Sequence, residues 1–177
     1  MQWLRMGLLA VVAMAPMAVR AELKLAADDG LLVEHRYQVK ASPERTWDAL
    51  MHPEGWWPND HTWSGSAANL SLQPEAGGCF CERWPQGSAE HGRVVMIRTN
   101  QLLRISGALG PLQEMAVVGV LTIQLAASDE GTVVVVSYRV SATPAHQLLA
   151  LSGVVDEVVR GQFSGLAKVA ETSIARP

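Results

Sequence analysis

The 177-residue sequence contains few charged residues, few aromatic residues and only two cysteines. Charged residues make up 18 % of the chain and aromatic residues 6 %. Lysine and arginine form no run and the net charge is -3, so the composition excludes a typical nucleic-acid-binding protein. Two cysteines cannot form a scaffold of several disulfides. A chain of this length does not need one, because it buries roughly two-thirds of its unfolded surface.

Several sequence signatures are also missing. We find no internal repeat, linker or low-complexity tract, which predicts a single domain after the N-terminal segment. The chain contains no G-x-S-x-G nucleophile elbow, no HExxH zinc motif and no phosphate-binding loop. Hydrolysis by a standard catalytic apparatus is therefore not expected.

The first 21 residues have the layout of a secretory signal peptide. Arg5 precedes fourteen uncharged residues, Met6–Val19, and Val19-Arg20-Ala21 places small residues where a signal peptidase reads them. The alternative is an uncleaved anchor, but fourteen helical residues span only ~21 Å of a ~30 Å hydrocarbon layer. We predict cleavage after Ala21, a periplasmic or secreted protein, and no stable membrane span after cleavage. The remaining residues, 22–177, carry 12 basic and 17 acidic side chains.

The pattern of residues 22–177 predicts a strand, a short helix, a run of strands and a long helix. The short helix begins after Ser42, a good N-cap, with Pro43 at its first position, and it ends at His52-Pro53. The predicted strands are Leu31–Lys40, Asn69–Gln73, Cys79–Trp84, Glu90–Arg98, Leu102–Leu109, Met115–Ala127 and Thr132–Ala142.

The last helix is predicted to begin at Thr143-Pro144. Its inward-facing positions recur at steps of three and four: Leu148, Leu151, Val155, Val158, Val159, Gln162, Leu166 and Val169. We interpret its glycines, Gly153, Gly161 and Gly165, as sites of close packing against a sheet. The order of elements predicts an α+β fold in which a curved antiparallel β-sheet wraps around this long C-terminal α-helix, with a cavity between them.

Three short segments of the sequence resemble those of a known family. They are Ala41–Leu50 (ASPERTWDAL), Gly77-Gly78 before a strand, and Gly131-Thr132 before the last strand. On these residues the chain resembles the START-like, or SRPBCC, superfamily of helix-grip proteins, which includes polyketide cyclases. The likeness covers Leu31–Val169 and implies a hydrophobic ligand pocket between the long helix and the sheet. It supplies no catalytic residue.

Other segments go beyond that family pattern and suggest a distinctive exported branch. They are His61–Gly65, Cys79–Glu82 and Glu90-His91. The resemblance implies that the irregular tryptophan-rich segment, which holds Trp56, Trp57 and Trp63, lies at the mouth of the cavity. An indole ring there suits an apolar or ring-bearing ligand, and the alternative is that these rings plug the cavity as core.

Cys79 and Cys81 lie two residues apart on one strand, so they share a face. In a regular strand their Cα atoms would be ~6.6 Å apart, near the outer limit for a disulfide, so a bond between them would need a bulge. Three other interpretations remain open: two buried thiols, which we favour, half of a metal site completed by His91, or a redox pair.

The register of the hairpin decides which residue His91 meets. If the turn centres on Gln86-Gly87, Glu82 faces His91 across the strands, whereas a shift of one residue places Cys81 opposite it. The first register gives a carboxylate–imidazole pair for acid–base chemistry or polar anchoring. The second gives a Cys/Cys/His cluster of the zinc type.

We prefer the first register because Phe80 and Trp84 share the face of Glu82 and should point toward the apolar interior. Glu82, His91 and His61 are then the catalytic candidates. The other histidines, His35, His52 and His146, are expected at the surface or at helix ends. The residues predicted to bind ligand are Trp56, Trp57, His61, Trp63, Phe80, Glu82, Trp84, His91, Leu109 and Leu112.

The sequence favours a binding protein over an enzyme. The first functional hypothesis is an exported helix-grip protein that binds a small, largely apolar or lipid-like ligand. The second is a cyclase- or hydrolase-like enzyme that uses Glu82 and His91, with or without His61. The third is an interaction protein of the co-chaperone kind. We expect no cofactor, no metal, no nucleic-acid partner and a monomeric protein.

Overall fold

The computed structural model describes residues 22–172 and contains one eight-stranded antiparallel sheet and two α-helices. The order of strands across the sheet is β1-β2-β8-β7-β6-β5-β4-β3. The helices are α1 (Pro43–Met51) and α2 (Leu148–Thr172). The strands are β1 (Glu22–Ala27), β2 (Gly30–Val39), β3 (Leu70–Leu72), β4 (Cys79–Trp84), β5 (Gly87–Arg98), β6 (Leu102–Ser106), β7 (Val118–Ser128) and β8 (Gly131–Ser141).

The predicted fold class is confirmed: the sheet curves around α2 in a helix-grip arrangement. The N-terminal strand β1, which pairs with β2, was not predicted. The signal-peptide prediction concerns Met1–Ala21, which lie outside the described residues.

The ends of α1 follow from local sequence. The Ser42 hydroxyl accepts a hydrogen bond from the Arg45 backbone N–H at 3.4 Å, and Pro43 occupies the first turn, where its missing N–H costs nothing. The helix ends at His52, before Pro53, as the sequence predicts. Trp47 and Leu50 lie on its buried face and join the core.

The long helix α2 begins later than the sequence predicts. Pro144–His146 form a short 3-10 helix, and Gln147 adopts a left-handed conformation with φ 51° that separates this turn from α2. Leu148 then donates its N–H to the Asp28 carbonyl and is fully buried, which anchors the start of α2 beside the β1–β2 turn. Within residues 22–172, no helix combines the length and apolar character needed to cross a membrane.

Only one of the α2 glycines sits in a close contact. A Cβ atom at Gly165 would lie 2.6 Å from the Trp56 carbonyl oxygen, whereas one at Gly153 or Gly161 would meet open space. Close packing is therefore confirmed for Gly165 alone, and its neighbour is the chain after α1 rather than the sheet. The interpretation of Gly153 and Gly161 is wrong.

The expectation that His35 lies at the surface is also wrong. His35 shares the inward parity of Val33 and Tyr37 on β2, and its side chain is only 1 % exposed. Its Nε2 lies 3.1 Å from the Asp156 carboxylate of α2. Two residues along, the buried hydroxyl of Tyr37 donates to the Arg160 carbonyl of α2 at 3.0 Å. These contacts hold α2 against the sheet.

Candidate ligand-binding site

A cavity of about 480 Å³ lies between α2 and the sheet, as the fold predicts. One wall is the inner face of α2, and a second is the irregular segment after α1. The connection between β6 and β7 forms a third wall. His91 and Tyr138 line the cavity on the side of the sheet. The lining residues are Trp57, Asp60, His61, Thr62, Trp63, His91, Leu109, Gly110, Pro111, Leu112, Met115, Tyr138, Leu151, Val154, Val155, Val158, Val159 and Gln162.

Two large hydrophobic side chains of the lining are exposed to solvent. Trp63 is 46 % exposed and Val154, on α2, is 65 % exposed. A large indole ring that is both solvent-accessible and part of the wall marks the edge of the cavity. The mouth therefore lies between the irregular segment and the first half of α2.

The tryptophans predicted at the mouth have different environments. Trp57 lines the cavity, is buried, and donates from Nε1 to the His61 carbonyl at 3.0 Å. Trp56 points into the core instead, where its Nε1 donates to the Ala49 carbonyl and its ring packs 5.3 Å from that of Phe163. Trp57 and Trp63 therefore line the cavity, whereas Trp56 is part of the core.

Phe80 and Trp84 lie outside the cavity lining. Phe80 borders a small void in the core, and its ring lies 5.2 Å from Trp57 and 5.0 Å from His91. It supports two residues of the cavity wall from behind. Trp84 packs over Gly87 at the β4–β5 turn.

Glu82 and His91 form a buried pair at the back of the cavity. His91 Nε2 lies 3.0 Å from Glu82 Oε2, and the side chains are 3 % and 0 % exposed. The same carboxylate accepts backbone N–H groups of Trp63 at 3.0 Å and Ser64 at 2.6 Å. Burial raises the pKa of Glu82, but hydrogen bonds from Ser64, Trp63 and His91 outweigh that effect, so its pKa lies below the ordinary value.

This geometry fixes the proton of the histidine. A carboxylate only accepts hydrogen bonds, so Nε2 of His91 must carry a hydrogen toward Glu82. The other ring nitrogen, Nδ1, has no hydrogen-bond partner among residues 22–172, and the ring lines the cavity. The pair can therefore anchor a polar ligand group or exchange a proton with it.

A β-bulge brings the pair together, and neither of the two residues predicted opposite His91 pairs with it in the sheet. The hairpin pairs Glu82 with Ala89 and Cys81 with Glu90, and the register then shifts so that Phe80 pairs with Gly92. His91 is the extra residue of β5 at this shift. The bulge turns its side chain to the face of Glu82, so the contact is the one expected although the register is not.

The same bulge accompanies a disulfide bond between Cys79 and Cys81. Their Cα atoms lie 5.4 Å apart, closer than in a regular strand, which brings them within the usual range for a disulfide. The preferred interpretation, two buried thiols, is therefore wrong. Their near neighbour is the Glu90 carboxylate rather than His91, which lies on the other face with Glu82. The Cys/Cys/His cluster of the zinc type does not form.

His61 lines the cavity wall, and its Nδ1 is a buried atom without a hydrogen-bond partner among the described residues. The contacts of Glu82 with Trp63 and Ser64 tie this segment to β4. His61 is therefore held at the cavity wall near the Glu82–His91 pair. Of the three catalytic candidates, His61 and His91 line the cavity, and Glu82 contacts it only through His91.

Sequence reasoning missed Tyr138 and Gln162 as parts of this site. The Tyr138 hydroxyl accepts the Leu109 N–H at 2.9 Å and donates to the Gly107 carbonyl at 3.2 Å, which fixes the wall formed by Leu109. Burial raises the pKa of Tyr138 to about 12, so it is uncharged. The sequence feature that could have identified Gln162 is its polarity, because it occupies a position of the otherwise apolar stripe of α2.

Comparisons with solved structures give the fold a wider context. An uncharacterised protein from Rhizobium leguminosarum is similar, with a TM-score of 0.61 and 17 % identity over 89 % of this chain and 100 % of that chain. A protein from Staphylococcus saprophyticus gives a TM-score of 0.57 and 19 % identity over 82 % and 97 % of the two chains.

The di-domain ARO/CYC protein StfQ from the steffimycin biosynthetic pathway is also similar. Its TM-score is 0.57, with 13 % identity over 81 % of this chain and 50 % of that chain. The sequence matches no protein-family model and no curated protein. At these identities the comparisons show a shared fold, and the protein has a helix-grip fold.

Proposed function

We propose that this protein binds a small, largely apolar ligand in the cavity between α2 and the sheet. The observation that carries the proposal is the cavity itself, with a volume of about 480 Å³ and mainly apolar walls. Ligand sites of small-molecule binding proteins have volumes of about 300–1,000 Å³ and a few polar groups set among apolar ones. His91, His61 and Gln162 are such polar groups in this cavity.

The test fills the cavity. Val158→Phe adds a ring on the α2 wall, and Val95→Phe, at a half-exposed position of β5, is the matched control. Native mass spectrometry of protein purified from its own compartment should show a small-molecule adduct with the wild type and with Val95→Phe, and none with Val158→Phe. Equal adducts on all three proteins would mean that the ligand lies elsewhere. Bare protein in all three, with no binding of added apolar probes, would contradict the proposal.

A second candidate function is acid–base catalysis, and the Glu82–His91 pair is the observation that favours it. The carboxylate orients the imidazole through Nε2, and Nδ1 is left to accept a proton from a bound molecule. We propose proton abstraction next to a carbonyl group as the reaction type.

This candidate predicts that the protein accelerates hydrogen–deuterium exchange at the α-carbon of an apolar ketone such as 1-tetralone. His91→Asn should abolish the acceleration, and His52→Asn, at an exposed position, should not. NMR in D₂O measures the exchange. Exchange at the buffer rate with the wild type would leave the binding function and remove the catalytic one.

Export is part of the proposal and is supported by the pattern of the first 21 residues. N-terminal sequencing of protein from the native host should begin at Glu22. A protein that keeps Met1–Ala21 would contradict the cleavage.

Membership of the START-like family is also part of the proposal. It is supported by the shared fold and by the segment Ala41–Leu50.

An interaction function of the co-chaperone kind is less well supported. The outward-facing positions of the central strands include Arg36 and Gln38 on β2, Gln124 on β7 and Arg139 on β8, all of them exposed. Charged and polar side chains at these positions disfavour an apolar docking face on the sheet. We therefore place the function in the cavity.

A further inference from the structure

Gln162 is an unusual member of the cavity wall. Its side chain is 3 % exposed, and its Oε1 is a buried atom with no hydrogen-bond partner among residues 22–172. Buried polar atoms in native proteins are almost always paired, and one that is not calls for a specific explanation. An unpaired buried amide oxygen destabilises the empty protein, so its presence in a binding cavity points to a partner supplied by the ligand.

The residues around Gln162 on α2 are mainly apolar. Its neighbours one turn away on α2 are Val158, Val159 and Leu166, and the first two also line the cavity. A methionine would cover the same wall without the unpaired oxygen.

We propose that Gln162 is the specificity residue of the cavity and that it hydrogen-bonds a hydroxyl group on an otherwise apolar ligand. This inference builds on the proposed binding function and names the ligand class: neutral alcohols or phenols. A hydroxyl donates a hydrogen bond, so it can pair with the unpartnered amide oxygen, which an ether oxygen cannot do.

Charge favours a neutral ligand over a carboxylic acid of similar size. In the part of the chain that the structure describes, the cavity lining contains no lysine and no arginine, and Asp60 is its acidic member. The buried Glu82 carboxylate behind His91 adds a second negative charge. A bound carboxylate would lose its hydration without gaining a lysine or arginine partner from this lining, which disfavours the anion.

The experiment compares three probes of nearly equal size by isothermal titration calorimetry. They are 1-octanol, its isomer methyl heptyl ether, which has no O–H group, and octanoate. The wild type should bind the alcohol about tenfold more tightly than the ether, and octanoate more weakly than both. Trp57 and Trp63 line the cavity, so tryptophan fluorescence gives a second readout of binding.

Gln162→Met tests the residue itself. The variant should lose about tenfold in affinity for 1-octanol and keep its affinity for the ether, so the preference disappears. Gln124→Met, at an exposed position of β7, is the matched control and should keep the wild-type preference. A thermal melt shows that each variant is folded.

The possible outcomes distinguish a failure of the proposed role of Gln162 from a failure of the proposed binding function. Equal binding of alcohol and ether by the wild type, or an unchanged preference in Gln162→Met, would overturn the role of Gln162 and leave the binding function standing. Tightest binding of octanoate would overturn the neutral ligand class. No binding of any probe, together with bare protein in native mass spectrometry, would overturn the binding function itself.

Discussion

Replacing Glu82 by glutamine tests the buried pair behind the cavity. The substitution keeps the size of the side chain and removes its charge. In the wild type the carboxylate accepts hydrogen bonds from Trp63 N, Ser64 N and His91 Nε2, and its side chain is fully buried. Glutamine offers one acceptor oxygen and turns an N–H₂ group toward the remaining donors.

The expected loss is large. Removing one member of a buried, hydrogen-bonded pair costs about 3–5 kcal/mol, because its partners stay buried without an acceptor. We expect Glu82→Gln to lower the free energy of unfolding at pH 7 by about 3 kcal/mol or more. The irregular segment that holds Trp63 and Ser64 should loosen first, since the carboxylate joins it to β4.

The effect should depend on pH in a defined direction. The pKa of Glu82 is lower in the folded protein than its ordinary value of 4.5. Its contribution to stability is therefore fully present above pH 4.5 and is lost as the pH falls through the lower, folded value. The stability curves of the wild type and Glu82→Gln should converge as the solution becomes more acidic.

Urea unfolding followed by tryptophan fluorescence, repeated from neutral to acidic pH, measures both effects. Glu90→Gln is the control: Glu90 lies on the neighbouring strand, is exposed, and forms a surface ion pair with Arg93. The control should stay close to the wild type. The account of the buried pair is refuted if Glu82→Gln is as stable at pH 7 as Glu90→Gln, or if it keeps the acid dependence of the wild type.

Three further predictions concern other parts of the molecule. In urea unfolding, Gly161→Ala should raise the free energy of unfolding by about 0.5–1 kcal/mol because the site is open, whereas Gly165→Ala should lower it by about 1–3 kcal/mol because the new Cβ meets a carbonyl oxygen. Reduction of the Cys79–Cys81 disulfide should lower the melting temperature by a few degrees, with intact mass before and after alkylation confirming the bond. In the ligand-free protein, Gln162→Met should raise the free energy of unfolding by about 1 kcal/mol, measured in urea, since it removes an unpaired buried oxygen.

The fold could be predicted because its signals are local and repeated. Ser42 and Pro43 set the start of α1, and the run of β-branched residues at 132–136 marks β8. The start of α2 was missed because Pro144 fits a 3-10 turn as well as an α-helix, and tertiary contacts of Leu148 with the β1–β2 turn decide between them.

The candidate site was only partly predictable, because it depends on one bulge. Parity along β4 correctly gave Glu82 an inward direction, but no residue pattern shows that β5 holds an extra residue at His91. That insertion changes the register, brings His91 to Glu82 and accompanies the short Cα distance between Cys79 and Cys81. Regular-strand geometry could not give these results.

Gln162 could not be recognised as a site residue from spacing alone. Its position fits the inward stripe of α2, where a polar residue is often paired with a neighbour in the core. Only the three-dimensional arrangement shows that Oε1 has no partner in the described chain and that the side chain borders a cavity.

The most direct test of the central claim is a crystal structure of the protein grown with 1-octanol. The account predicts electron density for the alcohol between α2 and the sheet, with its oxygen within hydrogen-bond distance of the Gln162 amide and its chain along Val155 and Val158. A cavity closed by its own side chains, or an alcohol bound only elsewhere on the protein, would contradict the account.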